Sequence, residues 1–397
     1  MSRTTQPLAR QPERIAILRA LNLGDLLVAV PALRAMRQHF PHAEITLIGL
    51  PWAAAFVERY RSFLDRFVAF PGYPGLPEGE GNPMHVAQFL CEQRDYHYDL
   101  VVQMHGSGTI SNMVAQALGG RISAGYYTGV HPVGLNIAAL YPDQQHEIVR
   151  NLGLAVLLGC TDLRTQLEFP LCAADDSEAN ALLSELPDWH NHQQQRARDR
   201  SRLLVGIHPG ARDRSRLLVG IHPGARSPAR RWPAAYFAAL ADELASRFAA
   251  HVVVTGSAGE QASVQSVVAA MKMPALDLAG RTSLGGLAGL LSKLDLFISN
   301  DTGPVHLACA LHCPSVTIFG PAEYERWAPL DHGLHPTVRH AVKCSPCGYW
   351  ECPIDHRCLH RLTPAMVLRV AERVIHETTE NPDLAYSRQL SELSGAN

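Results

Sequence analysis

Five short stretches of this chain carry residue types that could do chemistry. The first is Asn22-Leu23-Gly24-Asp25, where an apolar run gives way to a helical pattern. Asp25 there can cap the helix or serve as a general base toward an acceptor hydroxyl, and the positive helix end favours the ionised form that a base needs. Asn22 and Gly24 complete an acceptor-side loop, and Gly24 lets a second substrate approach the backbone. The second stretch carries Arg226, Arg230 and Arg231 after a His222-Pro223-Gly224 turn. Guanidinium groups so placed can clamp a diphosphate in bidentate fashion, or form a solvated basic loop. The third, Gly256-Ser257-Ala258-Gly259-Glu260, ends on a carboxylate that can accept from ribose hydroxyls or cap the next helix. The fourth, Ser299-Asn300-Asp301-Thr302-Gly303-Pro304-Val305-His306-Leu307-Ala308, is a polar glycine turn opening into a helix. The unpaired N–H groups of such a helix start suit a phosphate, while Asp301 and Thr302 as plain caps are the competing role. The fifth is Cys344, Cys347, Cys352 and Cys358, spaced C-x2-C-x4-C-x5-C with His356 and His360 nearby. A structural zinc, paired disulfides and four free thiols are its three readings.

The elements that must position these residues follow from periodicity. Apolar runs of strand length at 15–18, 44–49, 67–70 and 99–103 alternate with helical patterns at 26–36, 52–61 and 86–93, and Pro31 predicts a kink in the first helix. The second half repeats the alternation, with strands at 217–221, 251–255, 275–278, 294–298 and 315–319 and helices between them. Alternation of this kind predicts an α/β protein whose parallel sheets are covered on both faces. Residues 71–83 are rich in Gly and Pro and predict an exposed loop; 105–109 forms a further polar glycine turn after a strand. From 175 to 202 the chain turns polar and reads as an interdomain connection. Residues 197–210 recur unchanged as 211–224, a duplication of fourteen residues. Only the second copy runs directly into the arginine loop, so the strand is assigned to 217–221 and the first copy to an insertion. The expected organisation is an N-terminal domain over 1–190, a polar linker over 191–216, a C-terminal domain over 217–362, and a final helix and frayed tail over 363–397.

Composition narrows the classes. The 397 residues are 47% hydrophobic and 18% charged, which is globular and ample for two or three cores. A formal charge of -2 offers no basic field, so nucleic-acid binding is not expected. No apolar run reaches membrane-spanning length, and residues 1–7 lack a signal core, which leads to the expectation of a cytoplasmic protein.

Taken together, these motifs resemble glycosyltransferase family 9, the ADP-heptose:lipopolysaccharide heptosyltransferases. Residues 19–33, the run from His222 to Pro233, the run 278–284 and the run 299–308 are similar to four signatures of that family, in the family's order. The resemblance implies a GT-B fold, with two Rossmann-like domains facing each other across a central cleft and the last helix returning to the N-terminal domain. It implies an inverting transfer from an ADP-heptose-like nucleotide sugar to a glycan or lipid-linked acceptor, with no cofactor required. Asp25 then matches the general base and Arg231 the diphosphate contact, with Arg226 beside it. Glu260 matches a ribose-binding acid, Thr282, Ser283 and Leu284 lie where the adenine is held, Asp301 matches a donor-sugar contact, and Thr302, Gly303 and His306 match the phosphate loop. A lipid-linked acceptor implies peripheral contact with the cytoplasmic face of the inner membrane. A protein acceptor, a nucleotide-sugar epimerase and a non-catalytic ADP-binding module are the competing expectations.

Overall fold

The structure, a computed structural model, describes residues 10–79, 81–189 and 217–380. The chain divides into two compact units, Met1–Pro170 and Leu171–Asn397. In the first, β1 (Arg14–Leu18), β2 (Glu44–Gly49), β3 (Arg66–Ala69), β4 (Leu100–Gln103), β5 (Ile122–Tyr127) and β6 (Ile137–Leu140) form one sheet in the order β3-β2-β1-β4-β5-β6. In the second, β7 (Leu218–His222), β8 (His251–Gly256), β9 (Ala275–Ala279), β10 (Leu296–Asn300), β11 (Ser315–Phe319) and β12 (Thr337–Arg339) run β12-β11-β10-β7-β8-β9. Every pairing is parallel. Each unit thus carries the same topology. Its first strand lies at the centre and its fourth pairs on the other side, so the order reverses between β1 and β4 and again between β7 and β10. Ligands of open α/β sheets bind outside the carboxyl ends of the strands at such reversals.

The reasons are visible strand by strand. β10 and β11 are buried along their whole length, as parallel strands covered by helices must be. The core of the second unit joins Val219 and Ile221 to Leu296, Ile298, Val316 and Ile318, under Phe237, Leu240 and Leu244 of the helix Ala234–Phe248. The second copy of the duplicated segment supplies β7, as its position before the arginine loop predicted; the first copy lies outside the described residues.

Three features depart from expectation. The helix predicted over 26–36 is two helices, Leu23–Leu27 and Val30–His39, because Pro31 occupies the first turn of the second and has no N–H to continue the ladder. β5, β6 and β12 were not foreseen, and Ile122-Ser123-Ala124-Gly125 shows why: a small, glycine-bearing run carries little periodic signal. Part of the polar stretch read as a connection is the helix Ala173–Leu183, opened by Asp175, whose carboxylate accepts the Cys172 N–H at 2.9 Å. That helix belongs to the second unit and packs on the helix Leu284–Leu291. The helix Pro364–Glu380 closes the described part of the chain. Val367, Leu368, Ala371, Val374 and Ile375 are buried in the second unit's own core, beside the helix Ala234–Phe248 and β11.

Candidate functional site

At the first reversal, the loop after β1 meets the loop after β4. The Ala20 N–H donates to His105 Nδ1 at 3.2 Å, and His105 Nε2 lies 3.1 Å from Glu78 Oε2, so the glycine-rich 71–79 loop is tied to the same place. Asn22 is the N-cap of the helix Leu23–Leu27, and its N–H donates to Asp25 Oδ2 at 3.2 Å. Asp25 therefore does cap its own helix start, and its half-buried carboxylate sits at the end of the central strand. Gly24 is buried beneath it. Arg19 donates to the Asp25 main-chain carbonyl from Nε at 2.9 Å and from Nη2 at 2.7 Å.

The second reversal gathers most of the remaining candidates. Asn300, the last residue of β10, joins its two loops: its Oδ1 accepts the Trp232 N–H at 3.0 Å, and its Nδ2 donates to the Pro223 carbonyl at 2.8 Å. Trp232 is buried and donates from Nε1 to Leu362 O at 2.8 Å, so it packs as expected and anchors the arginine loop from below. Arg231 donates from Nε to Ala225 O at 2.9 Å, which folds the loop back on itself. Arg226 is exposed. Arg230 extends toward the neighbouring loop, with Nη1 3.6 Å from Asp301 Oδ2.

Asp301 carries the most unusual electrostatics of the site. It is only 6% exposed, and its Oδ2 lacks a hydrogen-bond partner. Burial pushes its carboxyl up to about 6, against the opposing pull of Arg230. Next to it Thr302 is the N-cap of the helix Gly303–Ala310, without a side-chain capping bond, so the helix start is not occupied by its own residue. His306 is buried on that helix, with its ring 6.2 Å from that of Trp327.

Glu260 stands on the adjacent strand end. Its Oε2 accepts the Ser257 N–H and hydroxyl, both at 2.8 Å, and lies 3.8 Å from His222 Nε2. A Cβ on Gly224 would lie 2.1 Å from Glu260 Oε1, so glycine there is what lets the carboxylate cross to the β7 loop. Burial works to raise the Glu260 carboxyl, but His222 and the two Ser257 bonds outweigh it and hold the group below its ordinary value. Burial lowers the His222 imidazole, against the opposing pull of Glu260, and its Nδ1 lies 3.1 Å from Thr255 Oγ1. Through the Gly280 N–H, which donates to Gly256 O at 2.8 Å, the turn carrying Thr282, Ser283 and Leu284 is tied to the Glu260 turn. Ser283 caps the helix Leu284–Leu291 and is itself held by Glu178, whose carboxylate accepts the Ser283 N–H at 2.7 Å and its hydroxyl at 2.6 Å.

The cysteine stretch needs correction. Cys344, Cys347, Cys352 and Cys358 line one small cavity, yet among the described residues no three Cys, His, Asp or Glu side chains stand close enough to hold a metal ion. All four are free thiols; Cys352 Sγ accepts the His356 N–H at 3.3 Å, and burial pushes Cys358 up to about 11. The structural zinc is therefore set aside. The segment braces the arginine loop instead. Trp350 O accepts the Ser227 hydroxyl at 2.7 Å and the Ala229 N–H at 3.0 Å, and His356 Nε2 lies 3.1 Å from Ala229 O.

Two units, each with a parallel sheet of the same topology, are the architecture of the GT-B fold, and comparison with solved structures agrees. Escherichia coli ADP-heptose lipopolysaccharide heptosyltransferase II superposes with a TM-score of 0.67 at 19% identity, over 92% of this chain and 99% of that one. Among curated sequences, lipopolysaccharide heptosyltransferase 2 of Escherichia coli strain K12 is 34% identical over 87% of this chain and 94% of its own length. Lipooligosaccharide heptosyltransferase 2 of Campylobacter jejuni serotype O:2 is 28% identical, and this chain spans about half of it, 51%. The family model for glycosyltransferase family 9 (heptosyltransferase) matches residues 86–357. The chain belongs to glycosyltransferase family 9, and so to the glycosyltransferases. The matched span takes in the candidate residues from Arg226 to His306 and begins after Asp25.

Proposed function

We propose that this protein moves a heptose, or a related sugar, from an ADP-sugar to a hydroxyl of a lipopolysaccharide core or similar glycan, with inversion and with Asp25 as general base. The observation that carries this reading is the β7/β10 reversal. There Asn300 ties the loop of Arg230 and Arg231 to the β7 turn that Glu260 reaches at Gly224, and Arg230 approaches Asp301 beside a helix start without its own side-chain cap. Each has a task in holding an ADP-sugar. The arginines and the helix start meet the diphosphate, and stabilise most strongly the negative charge that grows as ADP leaves. Glu260, held ionised, accepts from ribose hydroxyls. Asp301, once ionised, has an oxygen to offer a sugar hydroxyl. Thr282, Ser283 and Leu284 border the adenine, and His306 supports the phosphate helix from its buried side.

The first unit takes the acceptor. Asp25 removes the proton from its hydroxyl, and the oxygen attacks the anomeric carbon from the face opposite the diphosphate. On this reading a lipid-linked acceptor brings the protein to the cytoplasmic face of a membrane as a peripheral protein. Among the described residues no helix is long and apolar enough to cross one.

The test is incubation with ADP-heptose and core oligosaccharides, read by mass spectrometry of the acceptor. Asp25→Ala is expected to abolish transfer while ADP affinity, measured by calorimetry, stays within about twofold. Retained turnover in that variant would remove Asp25 from the chemistry, and absence of ADP release from any donor–acceptor pair would overturn the transferase reading of this site.

A further inference from the structure

We infer that Arg19, braced by Asn151 and Glu147, is the positioning residue that sets Asp25 for proton abstraction. The inference rests on the reading of Asp25 as base.

Arg19 directly follows β1 and is 2% exposed, a burial that arginine reaches only when its guanidinium is fully engaged. Here it is. The group has five N–H donors in a rigid fork. Nε and one Nη2 hydrogen go to the Asp25 carbonyl, and the two Nη1 hydrogens to the Met104 carbonyl and, at 3.2 Å, to Asn151 Oδ1. The remaining Nη2 hydrogen faces Glu147 Oε1 at 3.6 Å. The fork thus joins three pieces of chain: the helix start bearing Asp25, the end of β4, and the helix Glu147–Leu157.

The break between the first two helices explains why the Asp25 carbonyl needs such a partner. A helical carbonyl at 25 would accept the N–H of residue 29, but the Ala29 N–H goes to Leu26 O at 3.1 Å. Arg19 takes the Asp25 carbonyl in its place. Asn151 does the same one turn on, donating from Nδ2 to Val28 O at 3.3 Å while accepting from Arg19. The helix Leu23–Leu27 has five residues, too few to hold an orientation alone. Its direction, and with it that of the Asp25 carboxylate, is set by this grip on its main chain. Behind Arg19, Glu147 is also paired with Arg150, which is 2% exposed and donates to the carbonyls of Pro142, Asp143 and Gln145. The brace is thereby anchored to the chain that follows β6. Lysine carries its donors on a single nitrogen and cannot reproduce the planar fork by which three nitrogens of Arg19 reach residues 25, 104 and 151.

The alternative is that Arg19 only fills a buried polar space. Steady-state kinetics of the full-length chain with ADP-heptose and a core oligosaccharide separate the two. For Arg19→Lys a positioning role lowers kcat by about 10- to 100-fold, with both KM values and ADP binding within about twofold, because misplacing a catalytic group by about 1 Å costs this much. Guanidine added to Arg19→Ala then recovers part of kcat. Should the Arg19 variants not fold, Asn151→Ala, which leaves the Arg19–Glu147 pair in place, is expected to lower kcat in the same sense. Wild-type kcat in the folded variants, or a loss confined to KM or to Tm, overturns the inference. If Asp25→Ala abolishes transfer while Arg19→Lys keeps full kcat, this inference alone fails. If Asp25→Ala transfers normally, the reading of Asp25 as base fails with it.

Discussion

Asp301 is placed where a buried carboxylate has to choose between charge and solvation. Its unsatisfied Oδ2, with Arg230 at 3.6 Å, is poor for stability and good for binding, since a sugar hydroxyl can complete it. The sign of the pH dependence follows. Its folded value, about 6, lies above its ordinary 3.8, so the protonated carboxyl favours the folded state fully below 3.8 and that contribution is lost as pH rises through about 6. Asp301→Asn should therefore raise Tm above pH 6, by the equivalent of roughly 3 kcal/mol at most, and change it little near pH 4. Donor binding should run the other way: donor KM for the native chain rises as pH falls through 6, and is flat in Asp301→Asn. Arg230→Ala removes the cation that opposes burial, so the midpoint of that KM profile moves to higher pH. Calorimetric Tm and donor KM measured between pH 4 and 8 check all three. In Glu260 the same tension is resolved in favour of the charge, with two bonds from Ser257 helping to outweigh burial.

Among the elements, glycine at points of close approach decides what can meet. Gly224 lets Glu260 reach across from β8 to β7, and on the helix Leu284–Leu291 Gly286 and Gly289 let the helix Ala173–Leu183 settle against backbone. A Cβ at 289 would lie 2.2 Å from the Asp175 carbonyl oxygen, which cannot turn aside as a side-chain tip could. Gly289→Ala should cost about 1–3 kcal/mol of stability and speed amide exchange in 173–183, with less effect on donor KM. Gly224→Ala, by contrast, displaces the Glu260 carboxylate and should raise donor KM at least about tenfold with a smaller change in Tm. Proton-exchange protection and steady-state kinetics on the pair distinguish a packing glycine from a site glycine. Neither role was readable from sequence: Gly224 stood in a motif as a turn residue, and Gly286 and Gly289 lay within an unremarkable apolar helix.

At the scale of the whole molecule, the duplicated fourteen residues are a natural experiment. β7 comes from the second copy and pairs in full register with β8 and β10. Deleting 197–210 should leave Tm and the transfer rate unchanged, and a product that fails to fold would show that the first copy is needed.

The local pattern determined a good deal. Buried-strand runs, helix periodicity and glycine turns are short-range signals, so the α/β class, most strand positions and the polar turns after the strands were legible before any coordinates. Asp25, Glu260, Asp301 and the arginine loop were each recognisable because the residue and its turn lie within a few positions of one another. Contacts between distant parts of the chain decided the rest. Arg19 and Asn151 are 132 positions apart, and Asn300 is 68 from Trp232, so no window of sequence contains either pair. The four cysteines had suggestive spacing but among the described residues form no metal group, and the periodicity of the amphipathic last helix gave it a face to bury without naming the core that would take it. Spacing along a chain sets what a segment can become; which segments meet depends on the total burial and hydrogen bonding of the folded unit, a sum that no single stretch carries.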